Sequence, residues 1–179
     1  MEQPTRKSPR LKAFDYSTPG VYFVTICTYK MRMLFWEKPM RPALENHSEN
    51  LNFAGKIADE IIRTLPKKFP VVIDKYVIMP NHVHLMIRIT EYLNGTGANS
   101  TLCRIISYTK REISLALRKN NIDEKIWHRS FYDHVVRNEK DYVRILSYIE
   151  NNPKKWTEDR FYTECKNLND SAISYGRGS

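Results

Sequence analysis

Two histidines one residue apart, His82 and His84, sit inside the apolar run MPNHVHLMI at 79–87. In a strand, side chains two apart share a face. Both imidazoles would then project together, while Val83, Leu85 and Ile87 project the other way into a core. Two imidazoles held side by side on a rigid strand make two corners of a metal site. The bland alternative is a polar pair on the wet face of an antiparallel sheet. The chain holds only five histidines, which favours the metal. A third ligand, oxygen or nitrogen, must come from elsewhere. A structural zinc site would want paired cysteines, which are absent, and a cupin-like barrel would want Glu where the chain has Ile89.

The stretch NEKDYVRILSYIENNP (138–153) offers a candidate. Tyr142, Ile145, Leu146 and Ile149 recur at helical spacing as a buried stripe. Tyr148 and Asn152 are four apart, so they share another face one turn apart and present a hydroxyl beside an amide oxygen. On this helix alone they read as a core aromatic and a helix C-cap. Tyr108, near Ser107, Lys110 and Glu112 on another helix, is the rival hydroxyl.

The elements that must position these groups follow from periodicity and punctuation. Residues 1–18 are polar and basic and read as a flexible arm. GVYFVTICTYK (20–30) alternates as a strand, with MRMLFW as its hairpin partner. Asn52 opens a helix carrying Ile57, Ile61, Ile62 and Leu65, closed by Pro66. VVIDKYVIMP and HVHLMIRIT form a hairpin around Pro80–Asn81. NGTGANS is a flexible loop, and Ser100 is placed to cap a long helix burying Leu102, Ile105, Ile106, Ile113 and Leu117. A short strand lies within IWHRSFYDHVVR. Asn138 then caps the last helix, with Asp141 favourable to its dipole, and Pro153 ends it. The order β, α, β, β, α, β, α predicts an α+β fold, a ferredoxin-like antiparallel sheet with helices on one face. One domain is expected over 19–160, with a tail over 161–179.

Composition narrows the partners. Lys and Arg number 29 against 20 acids, a net charge of +9, among eleven tyrosines, seven phenylalanines and three tryptophans. Cations follow a phosphate backbone while aromatic faces stack on unpaired bases, which favours nucleic acid over mere solubilising charge. No run approaches the ~18 apolar residues of a membrane span, and the basic N-terminus has no apolar segment behind it, so a cytoplasmic protein is expected. Cys27, Cys103 and Cys165 are dispersed, which suits a reducing compartment.

PNHVHLMI (80–87) resembles the histidine–hydrophobe–histidine signature of HUH endonucleases. WHRSFYDHVVRNEKDYVRILSYIENNPKKW (127–156) is similar to the C-terminal block of single-tyrosine transposases, most closely the REP-associated tyrosine transposases. The matching positions are Trp127, Arg129, Phe131, Tyr132, Asp133, His134, Arg137, Asn138, Glu139, Asp141, Tyr148, Asn152 and Pro153. His128 departs from the Gln that relatives often carry.

This resemblance implies a bacterial, nucleoid-associated transposase of HUH fold, cutting single-stranded DNA beside REP-like hairpins. Tyr148 would be the nucleophile, leaving a covalent 5′-phosphotyrosine. His82, His84 and Asn152 would hold Mg²⁺ or Mn²⁺, supported by Asn81 and His134. Arg104, Lys110, Arg111, Arg129 and Arg137 are candidate DNA contacts, although a solvated helix face accounts for those on the long helix equally well. A monomer is expected, with a homodimer sharing composite sites as the alternative. Two other functions compete: a domesticated protein that grips hairpin DNA or RNA without cutting, and a small-molecule metalloenzyme.

Overall fold

A computed structural model describes residues 15–37, 47–92, 95 and 100–162. Most of the expected arm and tail, Cys165 included, and the NGTGANS loop apart from Gly95 and Ser100 lie outside the described residues. Four strands and three helices follow one another as β1 (Gly20–Cys27), α1 (Phe53–Thr64), β2 (Val71–Ile78), β3 (His82–Ile89), α2 (Thr101–Lys119), β4 (Tyr132–Val136) and α3 (Glu139–Asn151). The sheet runs β2-β3-β1-β4, with every neighbouring pair antiparallel. This is the ferredoxin-like arrangement that the element order predicts.

Period-two alternation sorts the sheet into two faces. Val24, Ile26, Val83, Leu85 and Ile87 are buried on one. Tyr76, opposite Leu85, reaches from that face to hydrogen-bond Asp59 of α1, and α1 packs on α2. The other face carries His84 and Met86. Lys75, opposite Met86, meets Glu150 of α3 there. The expected placement of helices on one face therefore holds for α1 and α2 only. The third helix crosses the opposite face, because the Ile145–Ile149 stripe buries itself on the histidine side.

Asn52 accepts from Gly55 N to cap α1, and Asn138 accepts from Asp141 N to cap α3. Ser100 precedes α2 but makes no side-chain cap bond. Ser17 Oγ accepts from Thr101 N and Tyr16 O from Leu102 N instead. Tyr16 and Ser17 are accordingly buried within the fold rather than in an arm. MRMLFW does not form the expected hairpin, since β3 and β4 occupy both edges of β1. Leu34 N and Phe35 N donate instead to Pro80 O, and Trp36 Nε1 to Ile78 O. That segment braces the β2–β3 turn in which Met79 N donates to His82 O.

Candidate active site

The register aligns His84 with Thr25 of β1, and Thr25 with Tyr132 of β4, in one row across the sheet. His82 and His84 are both fully buried, and their Nε2 atoms lie 3.0 Å apart. Their other ring nitrogens are engaged: His82 Nδ1 with Asn81 Oδ1 at 2.8 Å, and His84 Nδ1 with Thr25 Oγ1 at 2.8 Å. Asn81 Nδ2 donates to Phe161 O, which orients the amide so that its oxygen faces His82. That oxygen can only accept. The His82 proton therefore sits on Nδ1, leaving Nε2 as a bare lone pair aimed at His84.

α3 brings Tyr148 over this pair, its hydroxyl 3.2 Å from His84 Nε2. The hydroxyl donates to Asp159 Oδ2 at 2.8 Å, and Asn152 Nδ2 donates to the same oxygen at 2.7 Å. Phe161 N holds Asp159 Oδ1 at 2.7 Å. Aromatic rings close the site: Phe161 lies 4.8 Å from His82 by ring centroid, and Trp156 6.1 Å.

Burial sets the protonation states. Desolvation keeps His82 well below its ordinary pKa, helped by His84, and lowers His84 as well. Neutral imidazoles are the form that binds metals. Burial alone would raise the Asp159 carboxyl, but His84, His82, Asn152 and the Phe161 N–H outweigh it and hold Asp159 well below the carboxylate range. Burial, reinforced by Asp159, pushes the Tyr148 phenol well above its ordinary value.

One ligand atom from each of His82, His84 and Asp159 lies within 4.8 Å of the others, so this group could hold a metal ion. The donors fit. Two nitrogens ~2.1 Å from one divalent ion stand about 3.0–3.4 Å apart, and the Nε2 pair matches that spacing. Asn152 Oδ1 is a further buried acceptor with no hydrogen-bond partner.

The structure thus gathers His82, His84, Asn81, Tyr148 and Asn152 into one site, and adds Asp159, which spacing did not reveal. Asp159 lies in a segment without periodicity, seven residues beyond Asn152, and as one of two adjacent acids in WTEDR it carries no spacing signal of its own. His134 does not touch the histidine pair: half-exposed on β4, it lines the space beside Tyr148 and meets Asp141 Oδ2 at 2.6 Å. The candidate DNA contacts divide. Arg104, Lys110 and Arg111 lie on α2, across the sheet from Tyr148. Lys110 Nζ donates to the carbonyls of His128 and Ser130, both at 2.9 Å, and Arg111 pairs with Glu112. Arg129 and Arg137 are exposed on the segments flanking β4. Tyr108 packs its ring against Phe69, far from the histidines' face.

A family model described as IS200-like transposase matches residues 22–152, from β1 through Asn152. A Haemophilus influenzae protein of unassigned function is 34% identical over 175 residues, covering 89% of this chain and 94% of that one. A REP-associated tyrosine transposase of Escherichia coli is 33% identical over 86 residues, 48% of this chain and 46% of its own length. Among solved structures, a REP-associated tyrosine transposase bound to a REP hairpin superimposes with a TM-score of 0.51 at 21% identity, covering 77% of this chain and 68% of that chain. That likeness is one of fold. No helix among the described residues is long and apolar enough to cross a membrane. The matched span includes the strand that carries both histidines and the helix that carries Tyr148, and the chain belongs to the IS200-like transposase family.

Proposed function

We propose that this protein is a divalent-metal-dependent endonuclease and strand transferase acting on single-stranded DNA beside REP-like hairpins, with Tyr148 as its nucleophile. The observation that carries this reading is the Tyr148 hydroxyl standing 3.2 Å from His84 Nε2, beside two neutral imidazoles 3.0 Å apart. A bound Mg²⁺ or Mn²⁺ would polarise the scissile phosphate and offset its developing charge. His82, His84 and Asp159 would hold it, with Asn152 either as a further oxygen ligand or as the group orienting Asp159. Two imidazoles and a carboxylate suit Mn²⁺ better than Mg²⁺, which prefers oxygen.

Tyr148 Oη, oriented by its hydrogen bond to Asp159, attacks phosphorus, and its proton is released to solvent on the partly exposed side of the ring. The bond to the 3′ oxygen breaks, leaving a 5′-phosphotyrosine and a free 3′ end, so the ester is kept for rejoining. Asn81 keeps the His82 Nε2 lone pair directed at the site, and Thr25, whose hydroxyl can accept from Nδ1, would let His84 present its own Nε2 lone pair to a metal. Phe161 and Trp156 exclude water from it. One chain carries both histidines and the tyrosine within contact, which supports action as a monomer. The E. coli relative and the hairpin-bound structural neighbour support REP-like hairpins as substrate.

A second reading, a hairpin-binding protein that does not cut, is favoured by the Tyr148 hydroxyl being spent on Asp159 and its phenol being hard to ionise. One assay separates the two. Wild type and Tyr148→Phe are incubated with a single-stranded REP hairpin oligonucleotide, with Mn²⁺ or with EDTA, and resolved on denaturing gels. A covalent adduct formed only by wild type with metal is expected. Equal cleavage by both proteins removes Tyr148 from the role, and binding with no cleavage by either supports the second reading.

A further inference from the structure

Beside Tyr148, over β1 and β4, lies a cavity of about 380 Å³ that the chemistry above does not use. Its floor is Phe23 and Tyr132, and Ile145 and Tyr148 of α3 form one wall. Asp133 and His134 of β4 also line it, and of its two arginines Arg144 is paired with Asp141 while Arg160 stacks on rings. The register explains why it faces the site. Tyr132 stands in the row of Thr25 and His84, and Phe23 in the next row on the same face, its ring 5.2 Å from His84. β4 is an edge strand, and among the described residues no further strand lies beyond it.

Tyr132 is 49% exposed, although a large ring over an inward face would ordinarily be covered. The Arg160 guanidinium stacks 5.5 Å from the Tyr132 centroid and 4.4 Å from that of Phe161. A guanidinium held by ring faces keeps its in-plane N–H donors available for a phosphate. An aromatic floor, the Arg160 guanidinium at the rim and a volume at the small end of ligand pockets fit one unpaired nucleotide. The cavity shares the Tyr148 wall with the proposed reaction centre, so the occupant is a neighbour of the phosphate that Tyr148 attacks.

We infer that this cavity seats a single unpaired base of the DNA strand flanking the scissile phosphate, stacked on Tyr132, with its phosphate held by Arg160. The base positions the strand for Tyr148 and makes binding depend on one defined flank position. The inference rests on the proposed function, since it takes Tyr148 as the point of attack.

The test is an abasic scan. A REP hairpin oligonucleotide with single-stranded flanks has one base removed at a time, and binding is measured in EDTA on the Tyr148→Phe background. Tyr132→Ala and Tyr132→Phe are compared with Tyr132 intact. At one flank position, base removal is expected to weaken binding about tenfold or more with Tyr132 intact or with Tyr132→Phe, the scale of one base–aromatic stack, and about twofold or less with Tyr132→Ala. Arg160→Ala should weaken every oligonucleotide and flatten the salt dependence by about one phosphate contact, with Arg160→Lys restoring the slope. The inference is overturned if no flank base matters, or if the scan is the same in Tyr132→Ala. Adduct formation by the wild-type protein on the unmodified oligonucleotide is read separately, so cleavage without a Tyr132-dependent base position defeats the pocket alone.

Discussion

Truncating Asp159 to alanine removes the acceptor on which α3 and the segment after it converge. Asp159 accepts from Tyr148 at 2.8 Å and from Asn152 and Phe161 at 2.7 Å each, and its side chain is 1% exposed. Alanine would strand Asn152 Nδ2 next to an Oδ1 that already has no partner. Each buried polar group left unsatisfied costs about 1–3 kcal/mol. The carboxylate's own burial cost is recovered in exchange, so the net loss falls near the ~3–5 kcal/mol of a broken buried pair. For a domain of this size that lowers Tm by about 6–20 °C, at ~2–4 °C per kcal/mol. Urea unfolding in EDTA at pH 7, followed by tryptophan fluorescence, measures it. The pH dependence gives an independent check. A depressed carboxyl stabilises fully above its unfolded value of ~3.9 and loses that contribution as pH falls through its folded value. Wild type should therefore lose more stability in acid than Asp159→Asn does. Asp159→Ala unfolding within about 1 kcal/mol of wild type, with parallel acid limbs for wild type and Asp159→Asn, would refute the convergence.

Asn81→Ala should weaken Mn²⁺ binding about 10–100-fold, because the His82 tautomer loses its anchor; quenching of the nearby Trp156 reports it. Both histidines are held neutral by burial, so metal-free stability should be complete above the unfolded value of ~6.5 and decline as pH falls below it, with Mn²⁺ affinity falling in parallel; a denaturation series from pH 8 to 5 follows both. Lys110→Ala should destabilise by about 1–3 kcal/mol through the loop carbonyls it gathers, yet leave the salt slope of DNA binding unchanged. Gly55→Ala should destabilise despite alanine's better helix propensity, because the new Cβ would run into Phe35 O; overpacking of this kind costs about 1–3 kcal/mol, visible as a lower urea midpoint.

What sequence reveals here is what short-range periodicity encodes. Alternation in 20–27 and 82–89 places His82 and His84 on one face, and the Asn52 and Asn138 caps mark helix starts that the structure bears out. The i, i+4 spacing of Tyr148 and Asn152 likewise delivers both to one carboxylate. The failures share a cause, since each depends on a long-range partner. Asp159 acts only because the chain folds back after Trp156. Lys110 reads as a free cation until the loop at 128–130 is laid against it. Amphipathicity says that α3 has a buried stripe, but not which face of the sheet receives it.

The site's last pieces, Asp159 and Phe161, follow the tyrosine helix in the chain, whereas the histidines are made near its middle. Domains fold as they are synthesised, N-terminal parts first. During translation the sheet and even α3 can assemble while the imidazole pair still lacks its aromatic cover and its carboxylate. A chain cut just before Asp159 would keep the strands, both histidines and Tyr148, yet lack the carboxylate on which Tyr148 and Asn152 converge, so the loss would fall on the site before it fell on the sheet.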